Sequence, residues 1–451
     1  MGASAVELCT VDADGAGRGQ RAVRDVTAGE TVLSVPLAQC WTAAAALASP
    51  ALACLGDGRP GLGERDLIVM HLLAERSAAA GDGGGGPRAG HVMDMPEQFD
   101  VPMLWSPAEI ENLAGSEHYA LAQRLRKAAE ADYWALDALL QEAGGEAAAL
   151  FETFTVTLEG YLWARAALQT RSTRLRLLIR GGEGGEGAAE QTALCLPAGG
   201  ADQFNHSPDI AIDCFRLTPD GMLEVVAGKD FREGEEVFIS YGRELSTAQM
   251  LFTYGFAYAD ALTVANLGTP LPADHVTLRT VVPAQCTSSL EASRYGLLLE
   301  AVAMLEEEEG SGWEMEAGEE EGSVAVEFRL RPGAPLPRCW LVGARVMQLS
   351  EVEVAQLQAS DELMSKVLAG EPVSAAHEAA ALDGAGLQLM ARLDAFGEVT
   401  SRLLDGLGDT GRDTRRDRLA VNLQLVEKAI LQKALDAVDA LKAAPGANYI
   451  L

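Results

Sequence analysis

Basic residues are scarce in this 451-residue chain: 35 Lys and Arg stand against 66 Asp and Glu, a formal net charge of −31. That shortage excludes general affinity for nucleic-acid backbones, which takes clustered Lys and Arg. The negative field is compatible with drawing in a basic peptide or protein. The plainer reading is an acidic surface that keeps the chain soluble. Metal-ligand spacing is missing as well. The seven cysteines (Cys9, Cys40, Cys54, Cys195, Cys214, Cys286 and Cys339) include no CxxC pair and no Cys/His grouping of the kind that binds zinc. No metal is expected, and their odd number and scatter fit reduced thiols inside a cell.

Long hydrophobic runs are also absent. Residues 38–55, "AQCWTAAAALASPALACL", are the longest uncharged stretch. Alanine is only weakly apolar and Pro50 interrupts the run, so it reads as a soluble helix capped by Thr42, not a membrane span. The start "MGASAVELC" lacks the basic and apolar regions of a secretory signal, and Val6 breaks the myristoylation pattern. No G-x-S-x-G elbow is present. Gly15, Gly17 and Gly19 in "DGAGRGQRA" fail the dinucleotide fingerprint, because Gln20 takes the last glycine's place and a strand-like segment follows. This segment alone fits a hairpin turn or a ligand-cradling loop equally. No internal repeat is found.

What is there is globular: 48% hydrophobic and 22% charged residues, over a length that suggests two domains. The first 40 residues alternate as short strands around Ala28-Gly29-Glu30. Helical spacing runs from Thr42 to about Glu75. It resumes at "SPAEIENLAGS", with Ser106 as N-cap, Pro107 in the first turn and Glu109 at the capping-box position, and continues to about residue 171. Gly-rich loops are expected at 78–90 and 180–190. Short strands resume near 192–241. From about 276 the chain reads as mostly helical, ending in a long amphipathic helix over "RLAVNLQLVEKAILQKALDAVDALK". The Glu- and Gly-dense stretch 306–322 reads as a solvated insertion loop.

Two stretches carry chemistry. In "ADQFNHSPD" (201–209) Asn205 offers a donor and an acceptor beside His206, suited to an amino-acid moiety or a purine edge in a dry pocket. Asp202 stands three residues earlier, placed to orient either one. A lone histidine would more often be a satisfied core group. In "GEEVFISYG" (234–242) Val237, Ile239 and Tyr241 share one strand face, so Tyr241 ends an apolar stripe. Tyr254 repeats the Tyr-Gly step, and two such steps are consistent with a pocket.

Taken in order, these pieces resemble a SET-domain methyltransferase of the Rubisco large-subunit methyltransferase-like subgroup. "GRGQRAVRDVTAGETVLSVP" is similar to the opening strand pair, "FDVPMLWSPAEIENLAGS" to the Leu-Trp step and helix of the inserted region, and "YLWARAALQTRS" to a helix ending in Arg. "ADQFNHSP" and "EEVFISYG" resemble the two motifs of the pseudoknot, and "EKAILQKAL" the last helix of the substrate-binding domain. The resemblance implies an α+β fold: a SET domain over 1–268 with a helical insert at about 45–171, then a mostly helical C-terminal domain over 276–451. It implies S-adenosylmethionine as cofactor, lined by Ala16, Gly17 and Arg18 and held by Arg171, Asn205 and His206. Tyr241 would be the active-site phenol, with Asp202 and Tyr254 bordering the substrate side chain. The implied activity is protein-lysine N-methylation of a non-histone protein. The alternatives are protein-histidine methylation or a catalytically silent scaffold. The partner is a protein presenting a lysine, with no nucleic acid or membrane. The chain is expected to be monomeric and intracellular, with chloroplast, cytosol and nucleus open. Two segments depart from the family pattern: "LPAGGADQF" is longer and Gly-rich, and "GGGGPRAGHVMDMP" replaces an aromatic and Pro-Tyr segment.

Overall fold

The computed structural model describes residues 4–11, 17–56, 61–80, 88–179, 189–263, 265–309, 313–317, 322–368, 371, 373–407 and 414–444. The chain forms two compact units. The first comprises residues 1–107, 121–245 and 249–259, and the second 108–120, 246–248 and 260–451.

In the first unit β1 (Val6–Val11) and β2 (Gly17–Ala22) pair antiparallel, Val6 opposite Ala22, and β2 also pairs with β8 (Glu236–Val237). β3 (Thr31–Pro36) lies beside β7 (Met222–Val226), which carries β6 (Phe215–Leu217) on its other edge. β4 (Thr173–Ile179) and β5 (Ala189–Cys195) form a separate hairpin. Alternation fills the core between these small sheets: Val32, Val35, Leu223, Val225, Val237 and Ile239 are all buried. β4 fills the stretch left unassigned between the helix expected to end near 171 and the Gly-rich loop expected at 180–190. Its alternating "TRLRLLI" was the signal. Most of that loop, 180–188, lies outside the described residues, as does 81–87 of the other.

The inserted region is helical, with its own apolar core around Trp41, Ile68, Met70, Tyr161 and Trp163. Thr42 does cap a helix, accepting from Ala45 N at 3.1 Å, but that helix is only Ala43–Leu47. Pro50 starts a separate 3-10 turn, Pro50–Leu55, because a proline lacks the N–H the helix would need. The helix Leu158–Arg171 runs from a Thr157 cap to Arg171, which it delivers to the β4 junction.

The second unit is mostly helical, as expected, and adds one small sheet. β9 (Val276–Val282), β10 (Trp313–Ala317) and β11 (Val324–Leu330) form an antiparallel sheet in the order β10-β11-β9. β9 buries Val276 and Leu278, and β11 buries Val326, Phe328 and Leu330, against helices Ser289–Glu309, Arg338–Met347 and Ala375–Asp394. The supposed loop at 306–322 therefore holds the end of a helix and the strand β10. The remainder of it, 310–312 and 318–321, lies outside the described residues. The final helix, Arg415–Ala443, follows expectation. It opens with a Thr414/Asp417 capping box and buries Leu419, Val426, Ile430, Ala434 and Val438 on one face. Among the described residues no helix is long and apolar enough to cross a membrane.

Candidate active site

The two motifs meet by main-chain pairing. Ile239 N donates to Asn205 O at 2.9 Å and Ser207 N donates to Ile239 O at 3.0 Å, a parallel bridge that lays 205–207 beside 239. The Gly-rich approach that departs from the family pattern is accommodated here. Gly199 and Gly200 take φ of +63° and +88°, and a Cβ on Gly200 would stand 2.8 Å from the Gln20 amide.

Tyr241 follows directly. Its hydroxyl donates to Phe204 O at 2.7 Å, and its ring stacks on His206 with centroids 5.3 Å apart. Tyr254, on the turn Met250–Tyr254, donates its hydroxyl to Tyr241 O at 2.9 Å, with ring centroids 4.8 Å apart. Burial pushes the Tyr241 phenol far above its ordinary range, with only Arg171 pulling the other way, so it stays protonated. Burial raises Tyr254 as well. Burial lowers His206, which stays a neutral imidazole, and its Nδ1 accepts from Tyr241 N at 3.1 Å.

A cleft of about 380 Å³ opens at this crossing, lined among others by Thr170, Arg171, Asp202, Tyr241, Arg243 and Tyr254. The Arg171 Nη1 donates to the Asp202 carboxylate at 2.9 Å and to its carbonyl at 3.0 Å, while its Nε is buried without a hydrogen-bond partner. Asp202 is almost wholly buried, and His91 Nε2 stands 3.1 Å from its other oxygen. Trp41 Nε1 donates to His91 Nδ1 at 2.8 Å, which leaves the proton of that ring on Nε2, facing Asp202. Burial alone would raise the Asp202 carboxyl, but His91 and Arg171 outweigh it and hold the group below its ordinary range. Asp202 thus reaches the cleft as the anchor of Arg171.

The Asn205 amide nitrogen donates to Arg18 O at 3.1 Å and to Glu236 Oε1 at 2.7 Å, tying β2 to β8. Gly19 sits against this pair: a Cβ there would lie 2.4 Å from Glu236 Oε1 and 3.1 Å from the Asn205 amide. The Arg18 guanidinium is engaged with the Asp94 carbonyl. Gly17 has φ +73°, and Ala16 lies outside the described residues. Arg171, Asp202, Tyr241 and Tyr254 therefore share one cleft, and Asn205 with Arg18 and Gly19 forms a second cluster, joined to it through His206; among the described residues no contact brings Gly17 to Asn205.

Sequence reasoning missed His91, which lies in a segment that departs from the family pattern, and two aromatics after Tyr254. Tyr258 stacks on His206 at 6.1 Å, and Phe256 stands edge-on to Tyr241 at 6.1 Å. The alternating "YGFAY" was their signal.

No family model matches the chain. It is 25% identical over 248 residues to an actin-histidine N-methyltransferase of Danio rerio, and 26% identical over 246 residues to that of Homo sapiens. Each alignment covers 54% of this chain but only 38% of the relative. In structure the chain is similar to the SET domain of LSMT bound to lysine and AdoHcy, with a TM-score of 0.66 at 16% identity over 98% of this chain and 88% of that one. Rubisco LSMT bound to AdoMet gives a TM-score of 0.63 at 16% identity, over 98% of this chain and 88% of that one. In fold, the chain is similar to the SET domain of Rubisco LSMT, with an inserted helical region and a mostly helical C-terminal part.

Proposed function

We propose that the chain is an S-adenosylmethionine-dependent protein N-methyltransferase with lysine as acceptor. The observation that carries this reading is the crossing itself: a half-buried, protonated Tyr241 in a cleft, stacked on His206 and next to the Asn205 cluster. The residues fit the cofactor in two respects. The unpartnered Arg171 Nε is a buried donor suited to a carboxylate, and at Gly19 the main chain packs so closely on Glu236 and Asn205 that no Cβ fits, which fixes residues 17–19 beside Asn205. Arg171, Asn205, His206 and the main chain of residues 17–19 would hold it. When bound, S-adenosylmethionine supplies an electrophilic methyl group on a cationic sulfonium.

The protein's own share is to deliver a neutral nucleophile. A free lysine has a pKa of about 10.4 and must shed its proton to attack. Burial among the rings of Tyr241, Tyr254 and Phe256 disfavours the charged ammonium and lowers that value. Three titratable groups at the crossing are not free to take the proton. Tyr241 is already protonated, Asp202 is bound by Arg171 and His91, and His206 Nδ1 is occupied. The proton is passed to solvent or to the exposed Asp213 carboxylate on the cleft lining. What remains is alignment, which the two phenols serve by fixing the backbone at Phe204 and Tyr241.

A second reading, histidine as acceptor, is favoured by the named activity of the sequence relatives. A neutral imidazole needs no such deprotonation, since its pKa is about 6.5. We further propose that the protein acts as a monomer and that residues 276–451 bind the acceptor protein. The test is transfer of a labelled methyl group from S-adenosylmethionine into proteins of a fractionated extract, comparing wild type with Asn205→Ala and Tyr241→Ala. A labelled band lost in both variants is expected, and mass spectrometry of it separates lysine from histidine. Failure of the protein to bind S-adenosylmethionine would overturn the enzyme reading in favour of a silent scaffold.

A further inference from the structure

The second unit contains a side-chain cluster that the proposed reaction does not use. Glu117, His118 and Glu427 each bring one ligand atom to a site where all three lie within 4.8 Å of one another. His118 Nδ1 is 2.8 Å from Glu427 Oε1. The Glu427 side chain is 1% exposed, and its Oε2 is buried with no hydrogen-bond partner. A buried carboxylate oxygen without a partner is costly, because nothing replaces the water it lost. We propose that these three residues form a binding site for a divalent transition cation of the zinc or manganese class, with Glu427 Oε2 as a ligand.

The surroundings are those of a built site. Ser116 Oγ donates to Glu427 Oε1 at 2.7 Å, and Thr277 N donates to Glu117 Oε2 at 2.7 Å. Such outer hydrogen bonds hold ligating carboxylates in orientation and leave each with one oxygen for a cation. Donor atoms around a tetrahedral ion at about 2.0–2.2 Å stand roughly 3.4 Å apart, so donors within 4.8 Å of one another would draw together by up to about 1.4 Å on binding. Glu117 and His118 are partly exposed while Glu427 is buried, so an ion can enter past the first two and settle on the third. One imidazole and two carboxylates, with no thiolate, suit zinc or manganese and leave one position for water. The ion would pin residues 117–118 to the helix Arg415–Ala443, across a sequence separation of 309. No Cys/His spacing announces the site, because its third member arrives from the far end of the chain.

The test uses the untagged full chain, stripped with a chelator and titrated calorimetrically with zinc chloride alone, then with manganese chloride. One equivalent of uptake is expected, weakened at least 100-fold in Glu117→Gln and His118→Gln. Both of these replace partly exposed residues and so spare the buried Glu427 for a third variant, Glu427→Gln. No uptake, or uptake unchanged in the first two variants, would overturn the proposal. Capture by surface cysteines is separated by loading cobalt instead. Oxygen and nitrogen ligation gives only ligand-field bands, whereas a thiolate charge-transfer band would overturn the assignment. None of these readouts depends on methyl transfer.

Discussion

His91 and Arg171 divide the Asp202 carboxylate between them: His91 Nε2 stands 3.1 Å from Oδ1 and Arg171 Nη1 2.9 Å from Oδ2. One partner comes from the helix Ala89–Asp94 in the inserted region, the other from the end of the helix Leu158–Arg171. The carboxylate is the joint at which both are fixed to the residue 201–209 segment.

Removing His91 should loosen that joint. Asp202 is held below its ordinary range, so its stabilisation is present above the unfolded carboxyl value, about 3.9, and is lost as pH falls through the lower folded value. His91→Ala is expected to cost about 1–3 kcal/mol by removing the imidazole that stands 3.1 Å from a buried carboxylate oxygen with no hydrogen-bond partner, and to start acid unfolding at higher pH. His91→Gln, which can still donate, should recover part of both. Acid titration followed by circular dichroism measures this. An unshifted acid limb in His91→Ala would show that Asp202 does not depend on His91.

Tyr241→Phe keeps the ring that stacks on His206 and Tyr254 but deletes the bond to Phe204 O. Stability should fall by only about 1 kcal/mol. If the proposed activity is right, turnover should fall about 100-fold through lost alignment, with the acceptor KM changed little. Single-turnover methyl transfer is the measurement.

At Gly19 a methyl group would press on Glu236 Oε1, which the Asn205 amide holds at 2.7 Å. Gly19→Ala is expected to break that bond and weaken S-adenosylmethionine binding about tenfold or more, at a stability cost of about 1–3 kcal/mol. Calorimetric titration with the cofactor and thermal unfolding together distinguish a displaced Asn205 from a destabilised fold.

His71 is buried edge-on to Trp41, both its ring nitrogens without hydrogen-bond partners. Burial, with Arg88 adding to it, drives the ring down to about 4. Its stabilisation is fully present above the unfolded value of about 6.5 and is lost as pH falls towards 4. His71→Phe should therefore gain on wild type by about 2 kcal/mol between pH 7 and pH 5. Urea unfolding at the two pH values checks this, and an equal difference at both would mean that His71 is not held neutral.

Local patterns made some elements legible in the sequence and left others hidden. The final helix and the Thr42 cap were readable because periodicity and a cap residue are local signals. β10 was not, because a short strand inside a Glu-rich, helix-favouring stretch is specified by the sheet it joins, whereas the β-branched runs of β9, "VTLRTVV", and β11, "VAVEFRL", carried a strand signal that went unread. At the site, Tyr241, Tyr254 and the Asn205-His206 pair stood out by their motifs, and the structure brings them together. That Asp202 would be an anchor was not readable, since its partner His91 lies 111 residues earlier in a segment without a recognisable pattern.

The parallel bridge between residues 205–207 and 239 also has a consequence for the order of assembly. The Asn205 bond to Arg18 spans 187 residues, and β2 gains its second neighbour only when residues 236–237 arrive. During synthesis the N-terminal hairpin must wait, with one edge unpaired, until more than half the chain has emerged. The site is then among the last parts of the first unit to close, and the waiting edge is where a nascent chain is most exposed to mispairing.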